Sequence, residues 1–274
     1  MSLQNNAALK SLFREQVDHE LLDSAYERFN DLTSPFRCNL FALQIRELLR
    51  FVVDRISPET AIQECSWFKA AQDSRSDADK GKITRRDRYR FAITGNISDE
   101  AIEDHPELDT SVATGDLARF SGQLSKFAHI SSGTYALSVD KADAFRTEVE
   151  SVVIAFADTL VSVREKARDL LWSQVENAVY EAVSGMELES GLMDTKVLIG
   201  NFSLLELQET HLSSCAPSLT GMAEVEIQYA MGSGSDTDYA DMWKPVYFEI
   251  PIDPVTLAVL EPIVTLTTRL TDDE

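Results

Sequence analysis

The hydrophobic pattern of this chain changes period near residue 190. Before that point apolar residues recur every three or four positions, the spacing of one helical face, and after Gly191 they recur every second position, the spacing of a strand. Residues 6–30 place Leu9, Leu12, Phe13, Val17, Leu21, Ala25 and Phe29 on one face and predict a first helix. Thr33-Ser34-Pro35 ends it, because proline biases the preceding residue away from helical angles. A second helix is predicted from about Asn39 to Ile56, with Leu40, Leu43, Leu48, Phe51, Val52 and Ile56 turned inward and Ser57-Pro58 as its stop. Residues 70–83 are polar and read as an exposed loop. Thr84 follows as the cap of a basic helix, since its hydroxyl can accept a hydrogen bond from an orphan amide.

Residues 141–184 form the longest periodic stretch. Phe145, Val149, Val152, Phe156, Leu160, Val163, Ala167 and Leu170 step by 4, 3, 4, 4, 3, 4 and 3, close to a heptad seam. A helix of that length spans roughly 60 Å. Such a seam packs either within its own chain or against a second copy, and the second option predicts a homodimer. Further on, Ala223, Val225, Ile227 and Tyr229 alternate with Glu224, Glu226 and Gln228, as a strand with one wet face does. Val246, Phe248 and Ile250 repeat the alternation, and Val197–Leu207 and Val255–Leu270 add strand-like runs. The segment Gly232–Asp241 between two of these strands reads as a hairpin loop. The fold class expected is α+β: a helical domain over residues 1–187 with one long helix, then a small antiparallel β-domain of at least four strands over residues 188–274.

Charge sharpens this picture. The 274 residues carry a formal net charge of −21, yet six of the 25 basic residues fall between positions 80 and 90: Lys80, Lys82, Arg85, Arg86, Arg88 and Arg90. A polyanion contact must therefore be local. Hydrophobic residues make up 44 % of the chain, enough for a real core despite the charge excess. Cys38, Cys65 and Cys215 lie far apart without CxxC spacing, which fits reduced thiols in a cytoplasmic protein. No run of ~18 apolar residues predicts a membrane span. The first residues lack the charged and apolar regions of a secretory signal.

Several groups could carry chemistry. On a helix Arg86 and Arg90 share one face and Arg85 and Arg88 another, so two guanidinium groups on either face could converge on a phosphate. They could equally pair with the acidic run Asp99-Glu100-Ala101-Ile102-Glu103-Asp104. His129, after the periodic run Leu117, Phe120 and Leu124, could act as a general base or as a C-terminal cap favoured by the helix dipole. The stretch Asp99–Asp109, with His105 inside it, reads as solvated loop charge. Asp236, Asp238 and Asp241 resemble half a calcium loop but lack its glycine and terminal glutamate, so they read as a polar hairpin. No metal site is expected, no Walker A, GxGxxG, HExxH or GxSxG motif occurs, and the cofactor is left undefined.

Taken together, these blocks are recognisable. Ser34-Pro-Phe-Arg-Cys-Asn-Leu-Phe-Ala-Leu-Gln-Ile-Arg-Glu-Leu-Leu-Arg50, Val53-Asp-Arg-Ile-Ser-Pro58, Cys65-Ser-Trp-Phe-Lys69, Thr84-Arg-Arg-Asp-Arg-Tyr-Arg-Phe-Ala-Ile93, Leu124-Ser-Lys-Phe-Ala-His-Ile130 and Ala223–Asp236 resemble the predicted pPIWI-associating nuclease families of bacterial defence systems. The layout of Arg46-Glu-Leu-Leu-Arg50 and Leu124–His129 is also similar to HEPN-like helical domains, which cleave RNA with an Arg-x(4–6)-His motif. The motif itself is not met here, since Gly122, Gln123 and Leu124 occupy the arginine positions.

The resemblance implies an antiviral nuclease, a hydrolase acting on RNA or DNA phosphodiesters. His129, Lys126, Arg46 and Arg50 would be its catalytic residues, and Arg85, Arg86, Arg88 and Arg90 its nucleic-acid contacts, with Arg46, Arg50, Arg86, Arg90, Lys126 and His129 around one polar site. The alternative is a non-catalytic adaptor that binds a partner defence protein through the long helix or the β-domain.

Overall fold

The computed structural model describes residues 3, 9, 12–72, 75–77, 79–184, 197–211, 216–231 and 238–266. The expected α+β order is what forms, with helices first and an antiparallel sheet last.

Helix α1 (Gln16–Asn30) starts later than the apolar pattern suggests. Leu9 is helical and its carbonyl accepts from the Phe13 amide, but the helix breaks at residues 13–15. There the Glu15 amide donates to Asp18 Oδ2 at 3.1 Å, and Arg55 Nη2 reaches the same oxygen at 2.6 Å. These bonds hold Asp18 inward in line with Leu22, Ala25 and Phe29, and Val17, expected in the core, is turned outward.

Helix α2 (Arg37–Ile56) buries Cys38, Phe41, Ala42, Ile45, Leu48, Leu49, Val52 and Val53. Leu40 and Phe51 were expected on that face and instead lie 37 % and 43 % exposed, because the buried stripe runs one position away from each. Short helices α3 (Glu59–Glu64) and α4 (Ser66–Gln72) follow, so the predicted loop begins only after Gln72. Ile62, Cys65, Trp67, Phe68 and Phe91 form a small core of their own beneath them.

Helix α5 (Arg85–Thr94) is the basic helix, and Gly95 ends it at φ 61°, a left-handed angle that glycine adopts without a Cβ clash. The acidic stretch after it is not loop throughout. Asp99–Asp104 forms helix α6, capped by the Ser98 hydroxyl, which accepts from the Ala101 amide at 3.1 Å. Asp99 and Glu100 in its first turn suit the positive end of the helix dipole. A 3-10 turn (Pro106–Leu108) leads into α7 (Ser111–Ala128), which turns Leu117, Phe120 and Leu124 inward.

Helix α8 (Val139–Ser184) has 46 residues and is about 69 Å long. Its buried seam is Phe145, Val149, Val153, Phe156, Leu160, Val163, Ala167, Leu171, Val175, Val179 and Val183, with Val152 and Leu170 only half-buried. The chain's own helices and sheet cover this seam, so the residues on which pairing with a second copy was expected are already packed.

The sheet is a meander in the order β1 (Val197–His211), β2 (Ser218–Met231), β3 (Asp238–Pro251) and β4 (Ile263–Leu266), antiparallel throughout. Leu219, Ala223, Val225, Ile227, Val246, Phe248 and Ile250 form its inner face and join the core that holds the helices together. Glu226 was expected on the wet face but is only 9 % exposed, opposite Trp243 across the strand pair. Asp238 and Asp241 belong to β3 rather than to a loop, and Asp236 lies outside the described residues. Of the run predicted over Val255–Leu270, residues 267–270 lie outside the described residues, residues 255–262 do not belong to a strand, and Ile263–Leu266 forms strand β4. Before it, the Asp253 side chain accepts from the Val255 and Thr256 amides and makes a turn.

Among the described residues two hydrogen bonds tie the connection between β3 and β4 to the helices: the Ser98 amide donates to Pro254 O, and the Val259 amide donates to Gln174 Oε1. Cys38 and Cys65 are buried thiols, and Cys215 lies outside the described residues. Among the described residues no helix is long and apolar enough to cross a membrane.

Candidate functional site

The start of α5 is locked from both sides. Thr84 Oγ1 accepts from the Asp87 amide at 3.2 Å, and Asp87 Oδ2 accepts from the Thr84 amide at 2.7 Å, a reciprocal cap. Arg75 Nη2 grips both oxygens of the buried Asp87 at 2.8 Å and ties the preceding loop to the helix. At the other end of the contact with α2, Ser57 and Arg88 exchange bonds. The Ser57 hydroxyl donates to Arg88 O at 2.9 Å, and Arg88 Nη1 donates to Ser57 O at 3.3 Å.

Held this way, α5 turns Tyr89, Ala92 and Ile93 into the main core and sends its arginines to two different sides. Arg85 and Arg88 face α2 and α7 across a cleft of about 320 Å³. Arg46, Glu47, Arg50 and Asp54 of α2 form its other wall, and Tyr89 and Ser121 also line it. Four guanidinium groups stand against these two carboxylates and, at the rim, Glu59, which leaves a surplus of one positive charge.

The carboxylates organise that wall. Glu47 accepts from Arg46 Nη2 at 2.7 Å and Arg50 Nε at 2.9 Å, and Asp54 takes Arg88 at 3.3 Å and Arg50 at 3.5 Å. Arg88 also pairs with Glu59 at the rim. Burial alone would push the Glu47 carboxyl up, but the hydrogen bonds from Arg46 and Arg50 outweigh it and hold the group below its ordinary value. Arg85 differs from the others. Its partners, Ser121 O and Ser125 Oγ at 3.3 Å each, are neutral, so its charge is the least compensated. Burial raises the Tyr89 phenol above its usual value despite a hydrogen bond with Ser121 and the nearby Arg85, so the phenol keeps its proton near neutrality.

Arg86 and Arg90 lie on the opposite side of α5. With Trp67, Arg75, Asp87, Asp99 and Asp109 they line a second cleft of about 310 Å³, where three arginines meet three aspartates. Arg90 pairs with Asp99 at 2.7 Å and stacks 4.3 Å from the Trp67 ring centroid, so for this residue internal pairing prevails. His129 and Lys126 line neither cleft. His129 is the exposed C-terminal cap residue of α7, and its carbonyl accepts from Thr134 Oγ1 at 3.1 Å. It stands eight residues beyond Ser121, about 12 Å along the helix axis.

The six residues expected around one site, Arg46, Arg50, Arg86, Arg90, Lys126 and His129, therefore separate, and Arg85 and Arg88 take the place beside Arg46 and Arg50 that Arg86 and Arg90 were expected to hold. Arg46, Arg50, Arg85 and Arg88 come together, Arg86 and Arg90 lie behind them, and Lys126 and His129 sit at the end of α7. Glu47, Asp54, Tyr89 and Ser121 were not anticipated in the cleft. The spacing of Arg85, Arg88 and Tyr89, three and four apart on a helix, could have signalled the shared face. Nothing local marks Ser121. Among the described residues no group of three His, Cys, Asp or Glu side chains converges as a metal site.

A family model for predicted pPIWI-associating nucleases matches residues 10–156. The chain belongs to that family. The matched span runs from before α1 to Phe156 in α8 and contains every residue named in the two clefts, while the sheet lies outside it. No curated protein and no solved structure matches the chain.

Proposed function

We propose that this chain is the nucleic-acid-processing component of a bacterial anti-phage defence system, a cytoplasmic protein whose α2–α5 cleft holds the phosphodiester backbone of RNA or DNA. The observation that carries the reading is the grouping of Arg46, Arg50, Arg85 and Arg88, with a surplus of positive charge, in a chain of net charge −21. Membership of a family of predicted nucleases supports it, as does the position of the cleft inside the matched span.

Guanidinium groups give a phosphate two parallel charge-assisted bonds each, which fixes orientation as well as charge. The protonated Tyr89 phenol and the Ser121 hydroxyl add neutral donors. Negative charge that grows on phosphoryl oxygens during displacement would be stabilised by donors already in place. His129 and Lys126 stand outside this step because neither reaches the cleft. The helical domain, residues 1–187, holds the cleft, and the β-rich domain, residues 188–274, braces its long helix.

The test is binding of short labelled RNA and DNA at about 50 mM salt, where phosphate contacts are least screened, followed by cleavage assays with and without magnesium or manganese. Arg85→Gln with Arg88→Gln should abolish binding with an unchanged circular dichroism spectrum, and Arg86→Gln with Arg90→Gln should retain it. Absence of wild-type binding, or equal loss in both double variants, would overturn the assignment.

One observation favours an adaptor role as a second reading. A groove of about 590 Å³ between α7 and α8 has an apolar floor that includes Leu117, Val152 and Phe156, and a rim of Glu107, Asp109, Asp116 and Asp158 against the single cation Lys166. That combination suits an apolar segment carrying Lys or Arg from a partner defence protein. Asp116→Lys with Asp158→Lys should weaken co-purification with such a partner while sparing nucleic-acid binding.

A further inference from the structure

Beside the arginine cleft, next to its lining residue Arg50, stands an aromatic ring that the apolar pattern would have buried. Phe51 sits in α2 beside Arg50, is 43 % exposed, and its neighbours Val52 and Val53 point into the core. The Arg50 guanidinium lies 4.6 Å from the Phe51 ring centroid. Glu47 and Asp54 anchor Arg50, whose side chain keeps 53 % of its surface open. Arg50, which lines the cleft, and Phe51 beside it therefore make an exposed cation–π pair at the edge of the site, a platform for a base. Trp67, under Arg90 in the other cleft, is buried and offers no such surface.

Taking the cleft as a phosphate site, we infer that its ligand is single-stranded nucleic acid, with one base stacked on the Arg50–Phe51 platform while the adjoining phosphate enters the cleft. Aromatic rings and guanidinium planes hold unpaired bases by stacking, and a base inside a duplex cannot present its face to them. Charge leads to the same choice. A duplex presents a phosphate about every 1.7 Å and needs a long basic track, whereas this cleft has a surplus of one positive charge on a chain of net charge −21. A flexible strand can place one or two phosphates in the cleft and lead the rest away from the acidic surface. The cleft volume of about 320 Å³ sits near the lower end of ligand clefts, roughly 300–1,000 Å³, the scale of a small ligand rather than of a duplex.

The experiment is fluorescence anisotropy with labelled oligo-dT, oligo-rU and a duplex of the same length, on the full chain. Both single strands should bind at least about tenfold tighter than the duplex. Phe51→Ala should weaken single-strand binding by about 5- to 150-fold, the range expected for loss of one stacked base, and Phe51→Trp should restore it. An unchanged melting temperature shows that the effect is not unfolding, as expected for an exposed ring. Equal binding of duplex and single strand, or a Phe51→Ala variant that binds normally, overturns the inference. If Arg85→Gln with Arg88→Gln still abolishes binding in that case, the phosphate site stands without it. If neither form of nucleic acid binds, both readings fall.

Discussion

The charge balance of the cleft sets how salt should act on binding. Arg46, Arg50, Arg85 and Arg88 face Glu47, Asp54 and the rim Glu59, so about one phosphate's worth of charge is available to displace counterions. For a single strand the slope of log K against log salt is then about −0.7, and affinity falls only about 2.6-fold between ~50 and ~200 mM salt. Arg85→Gln removes the cation whose partners are both neutral, Ser121 O and Ser125 Oγ. The surplus drops to zero and the slope of the variant to near zero. Anisotropy titrations of oligo-dT at four or five salt concentrations, on wild type and Arg85→Gln, measure both slopes. A wild-type slope steeper than about −3 would mean that the strand lies on cations outside the cleft. A wild-type slope near zero, or one that Arg85→Gln does not change, would mean that the cleft is not where phosphate binds.

Three further outcomes follow from the packing. Asp87→Ala removes the reciprocal cap and strands Arg75, whose side chain is 18 % exposed. It should cost about 2–4 kcal/mol in urea unfolding, against about 1 kcal/mol for Thr84→Ala, and a loss under about 0.5 kcal/mol would refute the lock on α5. Val175→Lys places an ammonium in a fully buried stretch of the α8 seam and should destabilise the chain by about 4 kcal/mol or more in thermal melts. A folded variant whose mass by light scattering falls from a dimer's to 30.6 kDa would instead show that the seam joins two copies. Glu47 has a folded pKa below its ordinary 4.5, so its contribution is complete above that value and disappears as acid protonates the folded form. The stability gap between wild type and Glu47→Gln should therefore be full at neutral pH and shrink below pH 4.5, and a gap that widens in acid would contradict the pairing.

Element types were legible wherever burial follows one period. Helix α8 and the alternating strands β2 and β3 come directly from spacing, and Thr84 announces its cap three residues before Asp87. What misled was a polar residue on an inward position. Asp18 has an inward place because Arg55, 37 positions later, reaches it, and no local pattern can contain that contact. Phe51 shows the reverse, an apolar side chain left outside because the stripe of α2 passes beside it. The candidate site was legible by halves. Arg85 and Arg88 share a face by helical geometry, but their meeting with Arg46 and Arg50 depends on how α5 packs on α2. His129 seemed to belong with them because of the block it sits in, whereas the length of α7 carries it away.

Helix α8 carries the fold's two kinds of secondary structure on one rod. Its first half is clasped by helices, and its second half, where Gln174 accepts from the Val259 amide, is covered by the sheet. The rod cannot loosen at one end without weakening its grip at the other, so the two parts should melt as one cooperative unit. A protease cut or engineered stop near residue 187 would not release a well-behaved helical half. It would bare Leu171, Val175, Val179 and Val183, a greasy strip three turns long, to solvent. Such a fragment should clump or recruit chaperones.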